Sequence, residues 1–120
     1  MEEKHILGKK GEITAKDYLL KKSYSILEKN WRYLKGEIDL IVQKDDFIVF
    51  VEVKTRSSNN YGDPESFVSD KQQKMIIHAA NEYIMKNDIE CEARFDIISI
   101  IIRNKSEDIK HLEGAFYPTL

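Results

Sequence analysis

Four charged side chains stand inside one of the most apolar stretches of the sequence, GEIDLIVQKDDFIVFVEVKTR at residues 36–56. Glu37 and Asp39 lie in its first arm, Glu52 and Lys54 in its second. Runs 37–44 and 47–56 alternate and are rich in Ile, Val and Phe, the pattern of two strands, and Asp45-Asp46 between them is a short polar turn. A two-residue turn sets Lys44 against Phe47; counting back puts Asp39 opposite Glu52 and Glu37 opposite Lys54. A four-residue loop from Lys44 to Phe47 keeps the same register. Alternation then places all four charged residues on one face and Ile38, Leu40, Val49, Val51 and Val53 on the other. Two opposed carboxylates repel each other, and a cation between them removes the conflict. Oxygen-only ligands suit a hard divalent ion, Mg2+ or Mn2+, and two carboxylates suffice when water and a substrate phosphate complete its shell. Lys54, on the same face, can hold a phosphate or an attacking water. A plain surface hairpin would use Glu37–Lys54 as a cross-strand salt bridge, but it leaves the Asp39–Glu52 pair unexplained.

The elements that must position this hairpin follow from periodicity. Residues 2–22 read as a helix with Leu7, Gly11, Ala15, Tyr18 and Leu19 on one face. Residues 24–34 read as a strand. Residues 57–68 are polar, contain Gly62 and Pro64, and form a long loop of the kind that often serves function. Ser69 and Gln72 make a capping box that opens a second helix, with Met75, Ile76, Ala79, Ala80 and Tyr83 as its apolar stripe and an end near Asn87. RFDIISIII, 94–102, is near-continuously apolar, as a strand covered on both faces should be. A final short strand is expected near Ala115–Tyr117. The order α-β-β-β-α-β-β makes an α/β domain, and the strand–helix–strand segment 47–102 implies a parallel neighbour reached by a right-handed crossover. The sheet is therefore mixed and flanked by helices.

The 120 residues suit a single domain spanning 1–120, with one real core. With 42% hydrophobic and 33% charged residues the chain is neither disordered nor fibrous. The single Cys91 allows no internal disulfide. Together with a charged rather than apolar start, MEEKH, it points to a cytoplasmic protein. No apolar run is long enough to span a bilayer. The net charge of −2 argues against a bulk basic surface, so nucleic-acid contacts would be local. Residues 1–56 hold 12 of the 19 Lys and Arg but 10 of the 21 Asp and Glu, which makes this half the better face for a polyanion.

GEIDLI followed by VFVEVKTR resembles the D…ExK signature of the PD-(D/E)xK nuclease superfamily. More closely, the chain resembles the YraN family of small bacterial proteins, themselves similar to Holliday-junction resolvases. The likeness runs nearly end to end, through GKKGE at 8–12, NWRYLKGEIDLI at 30–41, VFVEVKTR at 49–56, DKQQK at 70–74, RFDII at 94–98 and the terminal GAF. An E-x-K alone would be weak; the ordered set is specific. The resemblance implies a restriction-endonuclease-like fold and a Mg2+- or Mn2+-dependent endonuclease acting on DNA, with branched or junction DNA among its substrates. It implies Asp39 and Glu52 as metal-binding acids, the carbonyl of Val53 as a further metal ligand, Lys54 as the catalytic lysine and Glu12 as a first-helix glutamate that approaches the same site. Resolvases act as symmetric dimers, which makes a homodimer an expectation that no sequence feature here establishes.

The remaining residues admit two readings each. Glu12 shares a helix face with Gly8, Ala15 and Leu19, where an unpaired carboxylate is costly; it could equally be a solvated residue at the stripe's edge. Gly8 and Gly11 would let the helix approach the sheet closely. Lys71 and Gln72 open the second helix, a favourable place for a backbone phosphate, or are solvated cap residues. Arg56 contacts phosphate or merely flanks the loop. Trp31 and Tyr33 could stack on bases, but packing is the better account. GKKG lacks the spacing of a phosphate loop. His5, His78 and His111 share no metal-ligand spacing, and Asp96 reads as a structural polar residue. The rivals to an active nuclease are a non-catalytic nucleic-acid-binding module that keeps the fold, and an interaction protein whose acidic face meets a basic partner.

Overall fold

The computed structural model describes residues 2–57 and 68–118, with side chains from residue 6 onward. Seven elements follow in the expected order: α1 Glu2–Lys21, β1 Ser25–Tyr33, β2 Gly36–Lys44, β3 Phe47–Ser57, α2 Asp70–Lys86, β4 Glu92–Ile102 and β5 Glu107–Phe116. The five strands form one sheet in the order β1-β2-β3-β4-β5. β3 and β4 are parallel and the other neighbours antiparallel, so the sheet is mixed. The arrangement is that of a restriction-endonuclease-like α/β fold. The long polar loop expected at 57–68 falls almost wholly outside the described residues, as does the side chain of His5. No helix among the described residues is long and apolar enough to cross a membrane.

Each face of the sheet carries its own core because β3 and β4 are apolar at nearly every position. Ile48, Phe50, Phe95 and Ile97 point toward α2 and pack with Ile76, Ala79, Ala80 and Tyr83. Val49, Val51, Val53, Ile98 and Ile100 point toward α1 and pack with Ala15 and Leu19. Burial of each such side chain stabilises the fold by roughly 1.5–3 kcal/mol before entropy is counted. Gly11 fits the close approach of α1: a Cβ there would stand 1.8 Å from Thr55 Oγ1. Gly8 has no such role, since an added Cβ would meet open space.

Three expectations need correction. β5 is ten residues long, not a short strand at 115–117. It lies at the sheet edge, where one side of its backbone is unpaired, and its Glu, Asp and Lys residues suit such an exposed edge rather than signalling a strand. Second, Ile38 does not share a face with Leu40: Ile38 belongs to the α2 core and Leu40 to the α1 core. The change of side coincides with Asn30 at φ 51° in β1, beside Trp31, whose partner across the strands is Ile38. Trp31 packs with the α2 core and meets the Tyr83 ring edge-on at 5.1 Å, which bears out the packing account. Third, the hairpin register is right but shorter than expected, and its end forms the site.

Candidate active site

The β2–β3 ladder runs from Lys44↔Phe47 to Leu40↔Val51, the register set by the Asp45-Asp46 turn, and stops there. Asp39 and Glu52 are therefore not a ladder pair. The Asp39 carboxylate takes the place of backbone: the Val53 N–H donates to Asp39 Oδ2 at 2.8 Å. Glu37 does not face Lys54 either. It pairs with Arg32 of β1, directly across the β1–β2 register, at 3.0 Å. The cross-strand salt bridge of the plain-hairpin reading is thus absent. Lys54 Nζ instead lies 3.4 Å from Glu52 Oε2.

α2 reaches the same carboxylate. Ser69 caps the helix by accepting from the Gln72 N–H at 3.1 Å. The reciprocal half of the capping box does not form. The Gln72 side-chain amide donates to Glu52 Oε2 instead. Asp39, Glu52, Lys71 and Gln72 line one cleft of about 500 Å³ between β2 and the start of α2, joined by Lys35 from the β1–β2 turn. That turn sits tight on α2: a Cβ on Gly36 would come 2.7 Å from the Met75 carbonyl oxygen.

The electrostatics follow from burial. Glu52 is 6% exposed, and Asp39 is partly buried. Loss of hydration, then the charge of Glu52, push the Asp39 carboxyl from 3.8 up to about 8, against the pull of the Val53 N–H. Burial also raises Glu52, while bonds from Asp39, Lys54 and Gln72 hold it lower than burial alone would. Burial and the mutual repulsion of the two carboxylates favour keeping one proton on the pair, with Asp39 the more strongly raised of the two. A proton held on the pair relieves the same repulsion that a cation would relieve.

Glu12 is near but not inside this cleft. It lines a neighbouring one of about 240 Å³ with Lys29 and Asn30, on the α1 side. Its carboxyl is raised first by burial and second by the charge of Asp39, with a hydrogen bond to Asn30 opposing. Among the described residues no three His, Cys, Asp or Glu side chains converge on one point, so Glu12 does not complete a ligand set. Arg56 lies two residues past Lys54 on β3 and donates to the Thr55 carbonyl at 2.9 Å. Sequence reasoning missed Lys35. Its signal was positional: it immediately precedes the strand that carries Asp39.

A second polar cluster lies on the other face. Asp96 is fully buried and accepts from Arg94 at 2.9 Å twice, from Gly114 N–H at 3.0 Å and meets His111 Nε2 at 2.6 Å. Burial would raise its pKa, but bonds from His111, Arg94 and Gly114 outweigh that and the net direction is down. His111 also contacts Tyr18 Oη at 3.1 Å, tying α1 to β4 and β5. Both carboxylate oxygens are engaged by protein groups, which is why Asp96 is structural and His111 lies apart from the acid cleft.

The description "Uncharacterised protein family UPF0102" matches residues 11–100. A UPF0102 protein of Flavobacterium psychrophilum is 48% identical over 98% of both chains. Another from Christiangramia forsetii is 43% identical over the same shares, and one from Chlorobium phaeobacteroides is 41% identical over 93% of this chain and 94% of its own.

Proposed function

The chain belongs to the uncharacterised protein family UPF0102, the YraN-like proteins, and we propose that it is a metal-dependent phosphodiesterase that cuts DNA, with branched or junction DNA among its candidate substrates. The observation that carries this reading is the Asp39–Glu52 pair, two neighbouring carboxyls, Glu52 buried and Asp39 partly so, that line one open cleft with Lys35, Lys71 and Gln72. A purely structural hairpin gives no reason for it, because Lys54 neutralises Glu52 and leaves Asp39 to be kept neutral by protonation.

The donor set fits a hard divalent ion. Asp39 and Glu52 would hold Mg2+ or Mn2+ in place of the shared proton, with the Val53 carbonyl as the third protein ligand. Such an ion, when bound, polarises a phosphate and makes water a stronger nucleophile. The chain's own residues do the rest. Gln72 fixes the orientation of the Glu52 carboxylate from the start of α2. Lys54, with only 18% of its side chain exposed, presents an ammonium beside Glu52, where it can offset charge that builds on the transferring phosphate. Lys35 and Lys71 at the cleft attract the strand, and Arg56 adds positive charge farther along β3. Glu12, in its neighbouring cleft, is close enough to feel the charge of Asp39 and would tune the site from there. A cytoplasmic location and a two-fold dimer would suit a junction-cutting enzyme and belong to the same proposal.

The test is cleavage of labelled junctions, flaps, duplexes and single strands in Mg2+ or Mn2+, with Asp39→Ala as control. The wild type should cut at least one substrate and the variant none. Binding without cleavage would favour a non-catalytic nucleic-acid-binding module. Equal cutting by both proteins would expose a contaminating nuclease.

A further inference from the structure

A second groove lies beside the acid cleft. Lys71, Lys74, Met75 and His78 line a space of about 510 Å³, and Lys71 and Met75 also line the acid cleft. The two spaces therefore share a wall. Positions 71, 74, 75 and 78 stack on one face of α2 by their 3- and 4-residue spacing. The buried face, with Ile76, Ala79, Ala80 and Tyr83, points the other way, into the core.

The charges on this face are not spent inside the protein. Among the described residues neither Lys71 nor Lys74 takes part in an ion pair, whereas Arg32, Lys54, Arg94 and Arg103 all do. In a chain of net charge −2 this is a local concentration of free cations next to an acidic cleft. His78 is held in place by the Tyr33 ring, edge-on at 5.5 Å, so its imidazole stays on the groove wall. Two acids bracket the face: Asp70 before Lys71, and Glu82 one turn beyond His78. The basic stretch thus has a defined length. Seven helical rises of about 1.5 Å from position 71 to 78 span roughly 10 Å, and a DNA strand advances about 3.4 Å per nucleotide, so the groove covers about three nucleotides.

We propose that this groove is a phosphate track: it carries the strand that continues from the scissile phosphate, with Lys71, Lys74 and His78 on the phosphates of about three nucleotides to one side. The track rests on the phosphodiesterase reading for its direction, but binding alone tests it. Solvated surface lysines would be scattered, whereas these line a groove that shares Lys71 and Met75 with the acid cleft.

The experiment measures binding of a labelled oligonucleotide by fluorescence anisotropy across a salt series, with Ca2+ replacing Mg2+ to prevent cutting. Removing one cation that neutralises a phosphate lowers the slope of log K against log salt by about 0.7–0.9. Lys74→Met should weaken binding and lower the slope by about one such step, and Lys71→Met with Lys74→Met by about two. Lys110→Met, on the exposed edge strand β5, should match wild type. Unchanged slopes in the single and double variants would overturn the track even if the protein cleaves DNA. An absence of wild-type binding would overturn it too. If slopes fall as expected while no substrate is ever cut, the track stands and the catalytic reading fails.

Discussion

Asparagine at position 39 mimics the protonated form of the aspartate. Its carbonyl oxygen can accept the Val53 N–H, as Asp39 Oδ2 does at 2.8 Å, and its amide can donate to Glu52 as the shared proton does. Metal-free wild type and Asp39→Asn should therefore differ in pH dependence more than in structure. Burial and the Glu52 charge lift the Asp39 carboxyl from 3.8 to about 8 in the folded protein. A carboxyl whose folded pKa exceeds its unfolded one binds its proton more tightly when folded. The resulting destabilisation is absent below about pH 4, grows as pH rises and is complete above about 8. One proton corresponds to about 1.4 kcal/mol per pH unit, so between pH 5 and 7 wild type should lose about 3 kcal/mol relative to Asp39→Asn. Urea unfolding in EDTA at pH 5, 6 and 7 measures the gap. Millimolar Mn2+ should then narrow the gap at pH 7, because an ion at 100 times its Kd stabilises only the chain that binds it, by about 2.7 kcal/mol. A gap that stays constant within about 0.5 kcal/mol across that pH range would refute the shared-proton argument.

Three further outcomes follow from other contacts. Gly36→Ala should cost about 1–3 kcal/mol in a urea melt, since its Cβ would press on the Met75 carbonyl and force the β1–β2 turn away from α2. Ser69→Ala removes the cap on Gln72 N–H and should cost about 1 kcal/mol. Asp96→Ala should cost roughly 3–5 kcal/mol by leaving Arg94 without its buried partner, yet leave Mn2+ affinity of the folded protein unchanged in a calorimetric titration. Because bonding holds the Asp96 pKa down, its contribution in wild type is present above the ordinary carboxylate range and fades as pH falls through its lowered value.

The hairpin was legible because two local rules agree. The Asp45-Asp46 turn fixes the register, and alternating Ile, Val and Phe fix the strands. Ser69 and Asn87 likewise mark the ends of α2. What the pattern hides is where a rule is broken. Asn30 adopts a positive φ without being glycine, and nothing in its neighbours announces it. Ile38 consequently turns to the α2 core, and the ladder ends at Leu40 so that Asp39 can bond Val53. The capping spacing points Gln72 back toward Ser69, but its side-chain NH2 donates to Glu52 of β3. Lys35, Lys74 and His78 become neighbours of the site only through the packing of the Gly36 turn on α2, a long-range contact that no spacing encodes. β5 was under-read because an edge strand tolerates the charges that elsewhere deny a strand.

Lys54 separates chemistry from architecture most sharply. Its approach to Glu52, 3.4 Å, is compatible with a structural ion pair, while the proposed function makes it the group that would meet developing phosphate charge. The measurement is single-turnover cleavage by wild type, Lys54→Met and Glu37→Gln, with Mn2+ binding followed in parallel. Glu37 pairs with Arg32 rather than Lys54, so Glu37→Gln should cut close to the wild-type rate. Lys54→Met should bind Mn2+ and fold yet lose cleavage, with the deficit in turnover rather than in substrate affinity. Should Lys54→Met cut DNA as fast as wild type, this cleft is not where phosphodiester hydrolysis occurs.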